Sequence, residues 1–198
     1  MAKIWNEREY SVVRLGEIAR AKSGFAFSSK DYVQDSNVSL ITIKNIDFSG
    51  VVFGNTTFLP NHYWNEYTNF QIKNGDILIA MSGSVGKICI YNSNKLALLN
   101  QRVGILKIEK CLNDFVVSIL QTKIYQHFFA RIATGGVQLN LNEKDILNLK
   151  IPLPPLTEQE RIAKEISQRK ARAKVLKQEA KELLENAKKE VEQIILGG

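Results

Sequence analysis

From Val12 to Ile108 the apolar side chains come in short runs, each closed by small or polar residues. Val12-Val13-Arg14-Leu15 has the character of a strand, and Leu15 to Arg20 reads as a short helix or turn. Ala21 to Lys30 follows as a small-residue loop carrying Lys22, Phe25, Phe27 and Lys30. Val38 to Ile43 is rich in β-branched residues and predicts a strand. Asn45-Ile46-Asp47 and Ser49-Gly50 punctuate the chain, and Phe58-Leu59-Pro60 closes the next segment. Ile77 to Met81 and Lys87 to Tyr91 are apolar runs on either side of Ser82-Gly83-Ser84-Val85-Gly86. That is the pattern of two strands joined across a small-residue loop. Ala97 to Leu99 and Val103 to Ile108 add further strands.

The period then changes. Phe115, Val116, Ile119, Leu120, Ile124, Phe128 and Ile132 recur at helical spacing and predict one helix over 113–131. Asn113 is placed to cap it, Asp114 suits its first turn, and Ala133-Thr134-Gly135-Gly136 ends it. Asn142 to Ile146 reads as a short turn, and Leu149 to Leu156, with three prolines, as extended chain. Thr157 is then a good N-cap, with Glu160 three residues on completing a capping box. From there to Leu196 the seam Ile162, Ile166, Arg169, Ala173, Leu176, Ala180, Leu183, Ala187, Glu190, Ile194 steps by alternating fours and threes. This is coiled-coil spacing, with Arg169 and Glu190 as departures and Val191 able to carry the seam near the end. Some forty helical residues reach roughly 60 Å, too far for a small domain to cover. The expected architecture is therefore α+β: mixed strands and short helices over 1–156, then a long coiled-coil helix over 157–196 that pairs with another chain.

Charge adds a partner class. The chain carries 27 Lys and Arg against 20 Asp and Glu, a formal net charge of +7. Residues 1–156 hold 17 basic and 12 acidic side chains, so most of the surplus belongs to the strand-rich part. Polyanions are the partners this favours, although solubility alone also accounts for such a balance. Cys89 and Cys111 form no CxxC pair, and His62 and His127 are the two histidines, so a structural zinc site is not expected. Neither a leader-like start nor an apolar run of membrane-spanning length is visible, and a cytoplasmic protein is expected.

Catalytic signatures do not emerge. Gly83-Ser84-Val85-Gly86-Lys87 falls short of a phosphate-binding loop, because Ile88 stands where Ser or Thr is required and a strand follows. A tight hairpin connection is the better reading. Pro154-Pro155 is flanked by leucines and offers no methyltransferase motif. His127, in an aromatic-rich helical stretch, and His62, beside Tyr63 and Trp64, read as structural.

Four segments carry a resemblance. They are Leu15-Gly16-Glu17-Ile18 followed by Ser23-Gly24 and Phe27; Gly75 to Gly86; Leu99-Asn100-Gln101-Arg102-Val103; and Ile151-Pro152-Leu153-Pro154-Pro155-Leu156-Thr157-Glu158-Gln159-Glu160-Arg161-Ile162 leading into the long helix. In this order they resemble the specificity subunits of type I restriction-modification systems. The resemblance implies a target-recognition domain that reads half of a split DNA site, and helices that act as a ruler between two such domains. It implies a non-catalytic chain that binds no cofactor. S-adenosylmethionine would sit on the partner modification (methyltransferase) subunits, and restriction subunits would join that complex. Usual members carry two domains and two helical regions; here one of each is present, as in a half subunit, natural or truncated, that a homodimer would complete.

On that reading, phosphate-positioning contacts are assigned to Lys22, Lys30, Lys44, Lys87 and Arg102. Base reading is assigned to Ser82, Ser84, Gln101, Arg102, Gln138 and Asn140, because Gln and Asn pair with adenine and Arg with guanine. The dimer seam is assigned to Ile162, Ile166, Leu176, Leu183, Val191 and Ile194. Surface solvation is the competing account of each lysine, and packing of the first helical turns on their own domain competes for Ile162 and Ile166. A coiled-coil adaptor without sequence-specific DNA binding, and an enzyme with an unfamiliar site, stay open as other classes.

Overall fold

The computed structural model describes residues 10–134 and 139–197. The chain divides into two compact units, Met1–Gln159 and Glu160–Gly198. In chain order the first unit contains β1 (Ser11–Arg14), β2 (Ala19–Ser23), β3 (Val38–Ile41), β4 (Ile46–Asp47), β5 (Gly50–Val51) and β6 (Thr57–Leu59). Helix α1 (Tyr63–Glu66) and strands β7 (Ile77–Ala80), β8 (Ile88–Ile90), β9 (Leu96–Leu99) and β10 (Val103–Ile108) follow. Helices α2 (Asn113–Leu120), α3 (Lys123–Ile132) and α4 (Glu143–Leu147) lead to β11 (Lys150–Leu153) and to α5 (Leu156–Leu196).

Two sheets make the centre. One is antiparallel, in the order β2-β10-β7-β8. The other is β6-β3-β9, in which β3 and β9 run parallel. Period-two alternation explains their packing. Leu78 and Ala80 of β7, Val103 and Ile105 of β10, and Ala97 and Leu99 of β9 point into one apolar cluster with Ile41, Cys89 and Tyr91. Their neighbours Leu98 of β9 and Val38 and Leu40 of β3 enter a second cluster with Phe27 and Leu59. The β3–β9 pair is thus covered on both faces, as parallel strands require. Burying such side chains is worth about 1.5–3 kcal/mol each, before entropy is counted. β1 and β11 pair antiparallel and bring the proline-rich stretch beside the start of the domain.

Several expectations need correction. The segment from Ala19 to Ser23 is a strand, not loop; only Leu15–Glu17 forms a helical turn, of 3-10 type. Its alternation is carried by alanines and charged residues, which signal β weakly. The helix expected over 113–131 is two helices, broken at Gln121-Thr122. The break is tertiary: Gln121 Nε2 donates to the carbonyls of Phe48 and Ile88 (2.8 and 2.9 Å), and Gln126 Nε2 to those of Leu120 and Gly86 (2.8 and 3.0 Å). Leu112, not Asn113, is the cap residue, and Asn113 instead donates to the Gly75 carbonyl (3.0 Å).

The last correction concerns Thr157. The helix begins at Leu156, one residue past Pro155, so Thr157 lies inside its first turn. The polar group that matters there is Gln159, which is buried. Its Oε1 accepts from the Leu112 backbone N–H at 3.0 Å and its Nε2 donates to the Pro154 carbonyl at 2.8 Å.

In the second unit α5 continues as an uninterrupted helix, its surface tied by Arg161–Glu165, Glu165–Arg169 and Glu185–Lys188 pairs. Leu176, Leu183 and Ile194 stand seven and eleven residues apart, so they line up within about 20° on one face. They are 54%, 70% and 80% exposed and form an apolar stripe along the helix. Among the described residues no helix is long and apolar enough to cross a membrane.

Candidate nucleic-acid interface

The loop from Asn100 to Arg102 owes its position to Gly24. A side chain there would meet the Leu99 carbonyl oxygen at 2.2 Å and that of Asn100 at 2.4 Å. Without one, the Gly24 N–H reaches the Val103 carbonyl (3.1 Å), Phe25 N–H reaches Leu99 (2.9 Å), and Gln101 N–H returns to the Phe25 carbonyl (2.9 Å). Across the loop, Met81 N–H donates to the Arg102 carbonyl at 2.9 Å, and Leu141 N–H to the Met81 carbonyl at 2.7 Å. Ser82 and Asn140 form an antiparallel bridge, as do Thr134 and Asn140.

The segment after Asn140 is fixed by a reciprocal cap. Asp145 N–H donates to Asn142 Oδ1, and Asn142 N–H to Asp145 Oδ2, each at 2.9 Å. This opens α4, which packs on β2. Glu143 fastens the two, its Oε1 accepting from the Ser23 N–H and hydroxyl, each at 2.7 Å.

Between these elements runs an open groove of about 570 Å³. Ser82, Gln101, Arg102 and Asn140 line it, with Asn142, Glu143 and Lys144 on the α4 side. Gln101 and Arg102 are exposed, whereas Ser82 is only 3% exposed. The Ser82 hydroxyl has no hydrogen-bond partner among the described residues. Neither Arg102 nor Lys144 belongs to an ion pair among those residues. The groove therefore presents donors and two cations, opposed by one carboxylate already engaged by Ser23.

The structure brings together four of the assigned base readers, Ser82, Gln101, Arg102 and Asn140, although they come from three separate segments. Ser84 is exposed in the β7–β8 turn, and Gln138 lies outside the described residues. The lysines do not converge. Lys22 Nζ donates to the Asn69 carbonyl at 2.9 Å and sits 4.9 Å from the Phe70 ring centre. Lys30 and Lys44 are exposed on separate 3-10 turns. Lys87 follows the β7–β8 turn and acts on Asp47. Hydrogen bonds from the Ser49 N–H and hydroxyl hold the Asp47 carboxyl below its usual range, and the Lys87 charge adds to the shift against the cost of burial.

Sequence reasoning missed Asn142 and Lys144. The Asn-x-x-Asp capping signal ahead of Ile146 was available to place a helix start there, and a helix start exposes its first turn. Phe25, Phe27, Tyr63 and Tyr67 pack ring against ring at 4.9–6.0 Å, and Tyr63 and Tyr67 cover the second core cluster, to which Phe27 belongs. His62 packs edge-on to Tyr63 at 4.8 Å. The Gly83–Lys87 segment is the turn of an antiparallel hairpin with Gly83 and Gly86 at positive φ, and β8 follows it. No group of three potential metal ligands occurs among the described residues.

Comparison with known proteins bears on this arrangement. A specificity subunit of the type I restriction enzyme MjaVIII from Methanocaldococcus jannaschii is 30% identical over 197 residues, which cover 96% of this chain and 46% of that protein. The chain thus spans less than half the length of that relative. A chain from a solved type I R-M system superposes with a TM-score of 0.65 at 21% identity, covering 85% of this chain and 40% of that one. The S subunit of a type I restriction-modification system from M. genitalium does so with a TM-score of 0.62 at 18% identity, covering 86% and 41%. These superpositions establish a shared α+β fold. The model of the type I restriction modification DNA specificity domain matches residues 7–186, and this chain belongs to that family.

Proposed function

We propose that this chain is the non-catalytic DNA-recognition part of a type I restriction-modification complex. The observation that carries the reading is the groove in which Ser82, Gln101, Arg102 and Asn140 converge, in a chain of the specificity-domain family. Such groups hold duplex DNA by phosphate contacts and discriminate bases by hydrogen bonds. The partners are modification subunits, which carry S-adenosylmethionine, and restriction subunits that join them. The chain itself binds no cofactor on this reading.

The finer part of the proposal is a homodimer. Two copies pair through the stripe of Leu176, Leu183, Val191 and Ile194, with Ile162 and Ile166 nearer the domain, and two equivalent domains read a symmetric, interrupted site. An adaptor without base preference is disfavoured by the family match.

The deciding experiment is selection from randomised duplexes by the chain with its modification subunit at physiological salt. Enrichment of a palindromic, interrupted site is expected. One unsplit half-site would keep recognition and reject the symmetric dimer. Binding without enrichment by an intact complex would overturn the recognition reading itself.

A further inference from the structure

Within that recognition reading, the recessed and the projecting side chains of the groove meet different parts of the duplex. Base edges lie recessed in the grooves of a duplex, so side chains that read them must project. Phosphates protrude, so a group that meets them can be recessed. Ser82 has a short side chain, is 3% exposed, and lines a concave groove. It lies too deep to follow a base edge into a DNA groove.

Its hydroxyl is also unsatisfied among the described residues, and a buried donor without a partner is rare in a folded protein. The groups around it favour an acceptor-only, anionic ligand. Arg102 and Lys144 bring positive charge. Glu143, held by two 2.7 Å hydrogen bonds from Ser23, is the one carboxylate against these two cations, so the charged lining is net positive. A base edge offers donors as well as acceptors, whereas a phosphodiester offers acceptors and a charge.

We propose that the groove between Ser82, Arg102 and Lys144 seats one backbone phosphate of the DNA. Ser82 donates its hydroxyl proton to a non-bridging oxygen, and the two cations supply the charge. Ser82 thereby sets the register of the domain on the duplex and carries no base preference. Gln101, at the exposed edge of the same loop, is left to approach bases.

The test uses the chain assembled with its modification subunits and the duplex it selects. A scan of single methylphosphonates, each neutralising one phosphate, is run on the unaltered complex and on Ser82→Ala and Arg102→Gln. One methylphosphonate per half-site is expected to weaken the unaltered complex about tenfold, the size of a hydrogen bond to a charged acceptor. Ser82→Ala is expected to weaken binding by a similar factor on every duplex, with base preference unchanged, and to lose less than the unaltered complex to that same methylphosphonate, because Arg102 and Lys144 still meet the phosphate. Arg102→Gln is expected to lower the slope of log affinity against log salt by about 0.9, one phosphate's share. It keeps the proposal testable if the alanine variant melts early. Relaxed preference at one base position in Ser82→Ala would overturn the proposal, as would unchanged affinity of both variants with the scan still flat across them. Failure of the unaltered complex to prefer any duplex would instead overturn the recognition reading, and this proposal with it.

Discussion

A methyl group on Gly24 would press into two carbonyl oxygens, neither of which belongs to a flexible side chain. Relief requires the 99–103 loop to move, and its backbone hydrogen bonds with Gly24, Phe25 and Met81 depend on its place. Gly24→Ala is therefore expected to cost at least about 2 kcal/mol, read as a lowered urea midpoint at unchanged m-value. The thiols give a second expectation. Burial pushes the Cys89 thiol up to about 12 and that of Cys111 to about 11, from an ordinary value of 9.0. Raised values keep both protonated at pH 8.5, where an unfolded thiol is partly thiolate. Iodoacetamide is expected to label native Cys89 at least about a hundredfold more slowly than the unfolded chain. Comparable rates would show that Cys89 is not held in the core. At this scale the sequence discloses chemistry but not place. Donor-bearing residues at 82, 101, 102 and 140 can be chosen from loop position and side-chain type. That Lys22 is spent on the Asn69 carbonyl and the Phe70 ring depends on residues nearly fifty positions away.

Elements were legible where one period ran long enough. Strands β7 to β10 and helix α5 follow directly from apolar spacing, because their burial patterns are simple. The α2–α3 break and the β2 strand were not, because hydrogen bonds from Gln121 and pairing with β10 decide them. The start of α5 belongs to the same class. Gln159 fills buried donor and acceptor sites offered by Pro154 and Leu112, so Gln159→Leu leaves both without a partner. A loss of about 1–3 kcal/mol is expected on thermal or urea unfolding, and none would mean that water replaces the amide. Farther along, Leu176 is 54% exposed and on the same face as Leu183 and Ile194. Leu176→Glu is expected to weaken self-association at least about tenfold by sedimentation, with the far-ultraviolet spectrum of the domain retained. An equally tight dimer would remove the stripe from the proposed interface.

For the whole molecule, the proposed dimer makes length a specificity determinant. A helix rises 1.5 Å per residue, and B-form DNA about 3.4 Å per base pair. Seven residues are two turns within about 20°, so inserting a heptad near Ala180 keeps the stripe of Leu176 and Leu183 in phase while lengthening each helix by about 10 Å. If α5 pairs antiparallel with its copy, the two recognition domains move apart by that amount. The selected site is then expected to keep both half-sequences and gain about three base pairs between them. An insertion of two residues is the control, since it rotates the stripe by about 200° and should abolish pairing rather than alter spacing. An unchanged spacer after the heptad insertion would separate the helix from site geometry and leave the recognition domain alone as the source of specificity. The family, the α+β class and the long helix could all be read from ordered motifs and periodicity. The distance those features impose on DNA could not, because it depends on how two copies overlap, a quantity that no single chain contains.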